Sequence, residues 1–189
     1  MSIYIDPTFY YGRPADCTGR LEREVATYDL LDALGIQYRR LDHEPTATIE
    51  SCEEVELILG TRICKNLFLC NRQKTQFYLL MLEGDKVFKT KDLSKQLGVS
   101  RLSFATAEDM VEMLGVHPGS VTVLGLMNDP ENKVQLVMDK PIYEAEHVSC
   151  HPCISTSTLV MSRADLLEKL LPAVHHDPIV VDLPIPEEE

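Results

Sequence analysis

Hydrophobic positions along this chain switch between two periods. Leu21, Val25, Tyr28, Leu31 and Leu34 recur at three- and four-residue steps and stop at Gly35, which predicts an amphipathic helix with a glycine at its end. Residues 36–41 suit a short strand. Ser51-x-x-Glu54 reads as a capping box opening a helix that carries Val55, Ile58 and Leu59 and closes at Gly60. Residues 63–70 and 77–82 predict two strands, and residues 86–88 a third after the Gly84-Asp85 turn. Thr90 is placed to cap a helix through Leu93 and Leu97, and Thr106-x-x-Asp109 opens another that ends at Gly115. Strands are expected at 121–124 and 134–138, around an Asn128-Asp129-Pro130 turn. Ser162 caps a last helix over 163–171, stopped by Pro172, and residues 179–181 form a closing strand. Helices scattered among paired strands, without strict βαβ alternation, favour a mixed α/β (α+β) fold over a doubly wound parallel sheet.

The length, 189 residues, fits one domain, with a core at about 20–183, an irregular segment over 1–18 and an acidic tail over 184–189. A hydrophobic fraction of 44% with 25% charged residues excludes wholesale disorder. Apolar runs are too short to span a bilayer, and the start lacks the basic-then-apolar pattern of a secretory signal, so a cytoplasmic protein with reduced cysteines is expected. The net charge of −12 argues against a polyanionic partner until its distribution is considered. Residues 61–101 hold nine basic residues (Arg62, Lys65, Arg72, Lys74, Lys86, Lys89, Lys91, Lys95 and Arg101) against three acidic ones. Such polarity suits either a face for a phosphate backbone or an ordinary solvated surface.

Three clusters could carry chemistry. Lys65-Asn66 interrupts an apolar strand, and alternation places Lys65 with Ile63, Leu67 and Leu69. A cation on a face otherwise written for the core either meets an anionic ligand or escapes to solvent. In Gly115-Val116-His117-Pro118-Gly119-Ser120, the Pro118-Gly119 turn allows close backbone approach, with Ser120 and Thr122 as spare donors. Cys150-His151-Pro152-Cys153 is followed by Ser155, Thr156, Ser157 and Thr158. It reads as a zinc half-site, a redox pair, or a loop whose His151 and hydroxyls line a polar pocket. His43, His147, His175 and His176 read as surface residues. Phosphate-loop, dinucleotide, metalloprotease and serine-hydrolase signatures are absent from the sequence.

These clusters, in this order, resemble the YbaK/prolyl-tRNA-editing family, most closely its free-standing PrdX-like branch. The matching stretches are CKNLFL at 64–69, LGVHPGSVTVLGLMND at 114–129 and HPCISTST at 151–158, and the likeness spans about residues 20–183. The resemblance implies a barrel-like mixed sheet surrounded by helices and cofactor-free, metal-free hydrolysis of mischarged tRNA(Pro), with alanine the expected amino acid. It also implies roles for Lys65, Asn66 and His151 in catalysis, and for Gly119, Ser120, Ser155 and Thr156 in substrate binding. Its implied partners are the tRNA(Pro) acceptor end and prolyl-tRNA synthetase, with no membrane. Ser155 replaces an asparagine usual in the family, and Val123-Leu124 replaces Pro-Phe. Cys-tRNA(Pro) deacylation, or a non-catalytic tRNA- or ligand-binding module, are the alternatives.

Overall fold

A computed structural model describes residues 2–46 and 48–185. Residues 2–18 lie against one sheet edge. There β1 (Tyr10–Tyr11) pairs antiparallel with β2 (Tyr38–Asp42), and Ile5 bridges to His43. Between them α1 (Glu22–Ala33) buries Tyr28 and Leu31, on the face its spacing predicted.

Helix α2 (Ile49–Leu59) begins one turn earlier than its Ser-x-x-Glu pattern suggested. Thr48 is the cap: its hydroxyl accepts the Ser51 N–H at 3.2 Å, and Ser51 Oγ accepts the Thr48 N–H at 3.1 Å. Serine therefore serves as the third helical residue of the box rather than its opener, a role its short hydroxyl fills like glutamate.

Strands β3 (Cys64–Cys70) and β4 (Phe77–Glu83) form the antiparallel hairpin that the apolar runs indicated. The third strand expected at 86–88 is absent. The chain instead runs irregularly because the Lys86 side chain turns inward, 7% exposed, to meet Asp139 Oδ2 at 2.6 Å. Helix α3 (Thr90–Leu97) starts with Thr90 inside it, after Lys89 and without a side-chain cap. After β5 (Ser103–Phe104), α4 (Ala107–Leu114) has the predicted Thr106/Asp109 capping box.

The strand expected at 121–124 is replaced by a 3₁₀ turn over Val123–Asn128, started by the Thr122 hydroxyl accepting the Leu124 N–H at 3.2 Å. Local capping outcompetes the β-branched run there. Strand β6 (Val134–Asp139) leads into α5 (Lys140–Glu144). Strands β7 (His147–Cys150) and β8 (Ser157–Ser162) flank the Cys-His-Pro-Cys loop, whose hydroxyl-rich sequence hides the second strand. The last helix continues past its expected stop. It runs through Arg163–Asp165, a π-helical stretch at Leu166–Leu170 and a final turn at Leu171–Ala173 that contains Pro172. Strand β9 (Ile179–Val181) closes the fold, while residues 186–189 of the anticipated acidic tail lie outside the described residues.

The strands form two sheets, β1-β2-β8-β7 and β5-β3-β4-β6-β9. The first is antiparallel throughout; in the second, β4–β6 and β6–β9 are parallel. The mixed α/β class matches expectation, but the barrel-like closure does not. Where the sheets meet, Ser149 Oγ on β7 accepts the Cys64 N–H at 2.8 Å and donates to the Arg62 carbonyl at 3.1 Å. One side-chain hydroxyl cannot continue a ladder, so the sheets stay separate.

Both faces of the β3–β4 hairpin are buried. Cys64, Phe68, Cys70, Leu79 and Met81 join the larger core with Tyr28 and Leu31, whereas Leu69, Leu80 and Leu82 pack with Leu93 of α3 and Val181 of β9. No helix among the described residues is long and apolar enough to cross a membrane.

Candidate functional site

Strand β3 builds the site by being only partly covered at one edge. β5 pairs with Leu69 and Cys70 alone, and Ala105 N–H adds one bond to the Phe68 carbonyl at 2.9 Å. Among the described residues no strand covers 64–67 on that side. A cavity of about 690 Å³ lies there, lined by Lys65 and Asn66, Phe104 and Ala105, Gly119 and His151. Glu53 and Glu56 of α2, Arg62 and the Gly84-Asp85 turn also reach it.

Three segments distant in sequence thus bring Lys65, Asn66, Gly119 and His151 to one cavity. Ser120, Ser155 and Thr156 are not among its lining residues. Ser120 Oγ instead donates to the His117 carbonyl at 2.8 Å, and the Thr156 carbonyl accepts the His43 N–H at 3.0 Å.

Lys65 is half-buried at the outer end of the apolar face that carries Leu67 and Leu69. Its Nζ donates to the Lys86 carbonyl at 2.7 Å. Desolvation lowers its pKa, and Asp85 partly offsets this. A carbonyl supplies no countercharge, so the ammonium keeps its attraction for an anion. Asn66 faces the opposite way; its Nδ2 donates to the Cys64 carbonyl at 3.2 Å, and its buried Oδ1 has no hydrogen-bond partner among the described residues. An orphaned acceptor beside a cavity is suited to an incoming N–H or O–H.

Gly119 sits at φ 87° in a turn closed by the Ser120 N–H to the His117 carbonyl, 3.0 Å. That positive φ at the third position of a Pro-Gly turn is one a side-chain-bearing residue would strain to adopt.

His151 Nδ1 lies 2.7 Å from the Ser157 carbonyl, which can only accept, so this nitrogen carries the proton and Nε2 keeps its lone pair. Ser157 is itself held through its hydroxyl, donating to Asp42 Oδ1 at 2.6 Å. His43, expected on the surface, is buried: its Nδ1 donates to the Glu44 carbonyl at 2.7 Å and its Nε2 accepts from Thr158 Oγ1 at 2.8 Å. His176 is also buried, 2.9 Å from Asp129. Neither burial is visible in a local pattern, because both arise from contacts made across the fold.

Burial lowers the pKa of both His43 and His151. Each folded-state value therefore lies below the unfolded one, so their stabilising contribution is complete above about pH 6.5 and is lost as pH falls below it. Urea unfolding at pH 7.5 and 5.5 should show lower stability at the acid value. His43→Gln, which retains hydrogen-bonding groups without titrating, should show a smaller drop.

Cys150 and Cys153 are both buried, and burial raises both thiol pKa values. Cys64 is pushed up to about 12 by the same cause. These three are thiols at neutral pH, poor nucleophiles and poor metal ligands. Among the described residues no three His, Cys, Asp or Glu side chains converge as a metal site.

Residues 43–169 match the family model of the aminoacyl-tRNA editing domain. The chain is 33% identical over 153 residues to the prolyl-tRNA editing protein ProX of Acetoanaerobium sticklandii, covering 81% of this chain and 93% of that one. It is 34% identical over 157 residues to the prolyl-tRNA synthetase associated domain-containing protein 1 of Mus musculus, covering 80% and 91%. Among solved structures it resembles a protein described as a candidate trans-editing enzyme for prolyl-tRNA synthetase. The TM-score is 0.61 at 17% identity, over 86% of this chain and 97% of that one, a likeness of fold.

Proposed function

Because this chain belongs to the aminoacyl-tRNA editing domain family, we propose that it is a trans-editing deacylase of mischarged tRNA(Pro), and that alanine is the amino acid it removes. The observation that carries this reading is the meeting of Lys65, Asn66, Gly119 and His151 around one cavity.

The ester linking an amino acid to the tRNA 3′ end is already activated relative to an amide, and its ribose supplies a neighbouring hydroxyl. Placement of that hydroxyl or a water, with charge stabilisation of the oxyanion, is then sufficient chemistry. Lys65 anchors a phosphate of the terminal nucleotide or polarises the ester end. Asn66 Oδ1 accepts from the α-amino group. His151, neutral and with Nε2 unprotonated, accepts a hydrogen bond from the attacking oxygen. The backbone at Gly119 lines the amino-acid end without a side chain in the way.

Discrimination follows from size. A proline-sized synthetase pocket cannot strongly exclude alanine, since each missing methylene is worth only about 1–3 kcal/mol. A second pocket that proline cannot enter then removes the error. Prolyl-tRNA synthetase is the natural partner for this division of labour, in keeping with the name of the mouse relative.

Purified protein should release alanine from Ala-tRNA(Pro) and leave Pro-tRNA(Pro) intact in a deacylation assay. Faster release of cysteine from Cys-tRNA(Pro) would transfer the assignment to cysteine. Binding of tRNA without hydrolysis of any of the three would reduce the protein to a binding module.

A further inference from the structure

Beside the cavity stands an aromatic ring that the deacylation scheme does not use. Phe104 lines the cavity and is 58% exposed. An aromatic ring in the lining of a cavity, open on one side, is placed to pack against whatever enters it.

Phe104 is not loosely placed. Its backbone pairs with Leu69 of β3, and the next residue donates to the Phe68 carbonyl. Phe88 meets its ring at 75° with centroids 6.2 Å apart, an edge contact that braces the ring and leaves a face uncovered.

Register fixes which way it points. Directly paired residues share a face, so Phe104 lies on the side of Leu69, Leu67 and Lys65. Lys65 and Leu69 are four residues apart on β3, about 13 Å by strand rise. The ammonium itself is tied to this side of the ring: Lys65 Nζ donates to the Lys86 carbonyl at 2.7 Å, and Phe88, two residues further on, meets the Phe104 ring, so a nucleotide lying along residues 86–88 has its phosphate at the ammonium and its base at the ring. Arg101 and Lys89, both exposed, flank this aromatic pair in sequence and add positive charge on which the preceding phosphates can run.

We propose that Phe104 is the stacking platform for the base of the 3′-terminal adenosine, a subsite separate from the amino-acid pocket. The inference rests on the tRNA reading given above, but its test does not depend on hydrolysis. Stacking is sequence-tolerant because every base offers a π face, so the platform senses a base rather than its edges.

The experiment uses the full chain and two uncharged tRNA(Pro) acceptor-stem minihelices, one ending in adenosine and one ending in an abasic ribose. Wild-type protein should bind the adenosine-ended minihelix about 10-fold more tightly. Phe104→Ala should bind both equally, at the weaker affinity. Phe104→Leu, which keeps an apolar side chain but no plane, should behave like Phe104→Ala, and Phe104→Tyr should retain the preference. Thermal melts of each variant should match wild type, since the ring is exposed. Equal binding of the two minihelices by wild type, or a preference surviving in Phe104→Ala, overturns the proposal. Inactivity of wild type on every charged tRNA, with the Phe104-dependent preference intact, would overturn the deacylase reading alone.

Discussion

Lys65→Ala is expected to lower the rate of alanine release from Ala-tRNA(Pro) by about 100-fold or more, the usual result of deleting a group that stabilises developing charge. The fold should survive. Lys65 is half-buried, its ammonium makes one hydrogen bond, to the Lys86 carbonyl, and a single such bond to a charged group contributes about 1.5–3 kcal/mol at most. Circular dichroism and a urea midpoint near wild type would establish that the protein is intact. Single-turnover deacylation would then separate binding from chemistry. If the lysine only holds a phosphate, raising enzyme concentration restores the rate; if it also polarises the ester, the saturated rate stays low. Lys65→Arg, with its larger planar head, should recover binding better than rate. Full activity in Lys65→Ala would remove this residue from the mechanism.

Asp139→Ala is expected to be the most destabilising single substitution. Asp139 is fully buried at the end of β6, where Oδ2 pairs with Lys86 Nζ at 2.6 Å. Its Oδ1 accepts the N–H groups of Lys140 at 3.1 Å and Leu183 at 2.9 Å. Removing the carboxylate leaves a buried ammonium without a countercharge and two N–H groups without acceptors, at a cost of about 3–5 kcal/mol. A typical domain has only about 5–15 kcal/mol in all, so the variant should unfold at a much lower urea concentration. Lys86→Met/Asp139→Leu should recover much of the loss, because the penalty belongs to the unpaired charge rather than to absence of the pair. An Asp139→Ala cost below about 1 kcal/mol would mean that water reaches the pair. Because Lys86 also presents the carbonyl that holds Lys65, the same substitution should disturb the site from a distance.

Legibility in the sequence differed by element. The Thr106/Asp109 capping box, the β3–β4 hairpin and α1 were all readable, because each rests on neighbours within a few residues. Residues 86–88 carry a strand-like pattern, and nothing local signals that Lys86 is pulled inward by a residue 53 positions away. Residues 121–124 have strand-like composition, but Thr122 acts as a cap for a turn, which competes with strand formation. Strand β8 has no local signal, since its first residues, Ser157 and Thr158, look like loop until Asp42 is found opposite Ser157 and the His43 ring at the Thr158 hydroxyl.

The site divides in the same way. A lysine interrupting an apolar run marked Lys65, and a Pro-Gly turn marked 118–119. His151 was marked only by its place in a short cluster that also admitted zinc or redox chemistry. Phe104 carried no signal at all, as a phenylalanine in a two-residue strand is unremarkable until its exposure and its cavity are known.

What the amino-acid order determined by itself was the set of helices and strands governed by near neighbours, and the likeness to an editing family through motifs keeping their sequence. Tertiary structure alone decided that the two sheets stay apart, that Lys86 and His43 are buried, and that one open strand edge gathers Lys65, Asn66, Gly119 and His151. The physical reason is range. Caps, turns and amphipathic periods are written within about one helical turn, whereas burial and convergence depend on groups that only folding brings together.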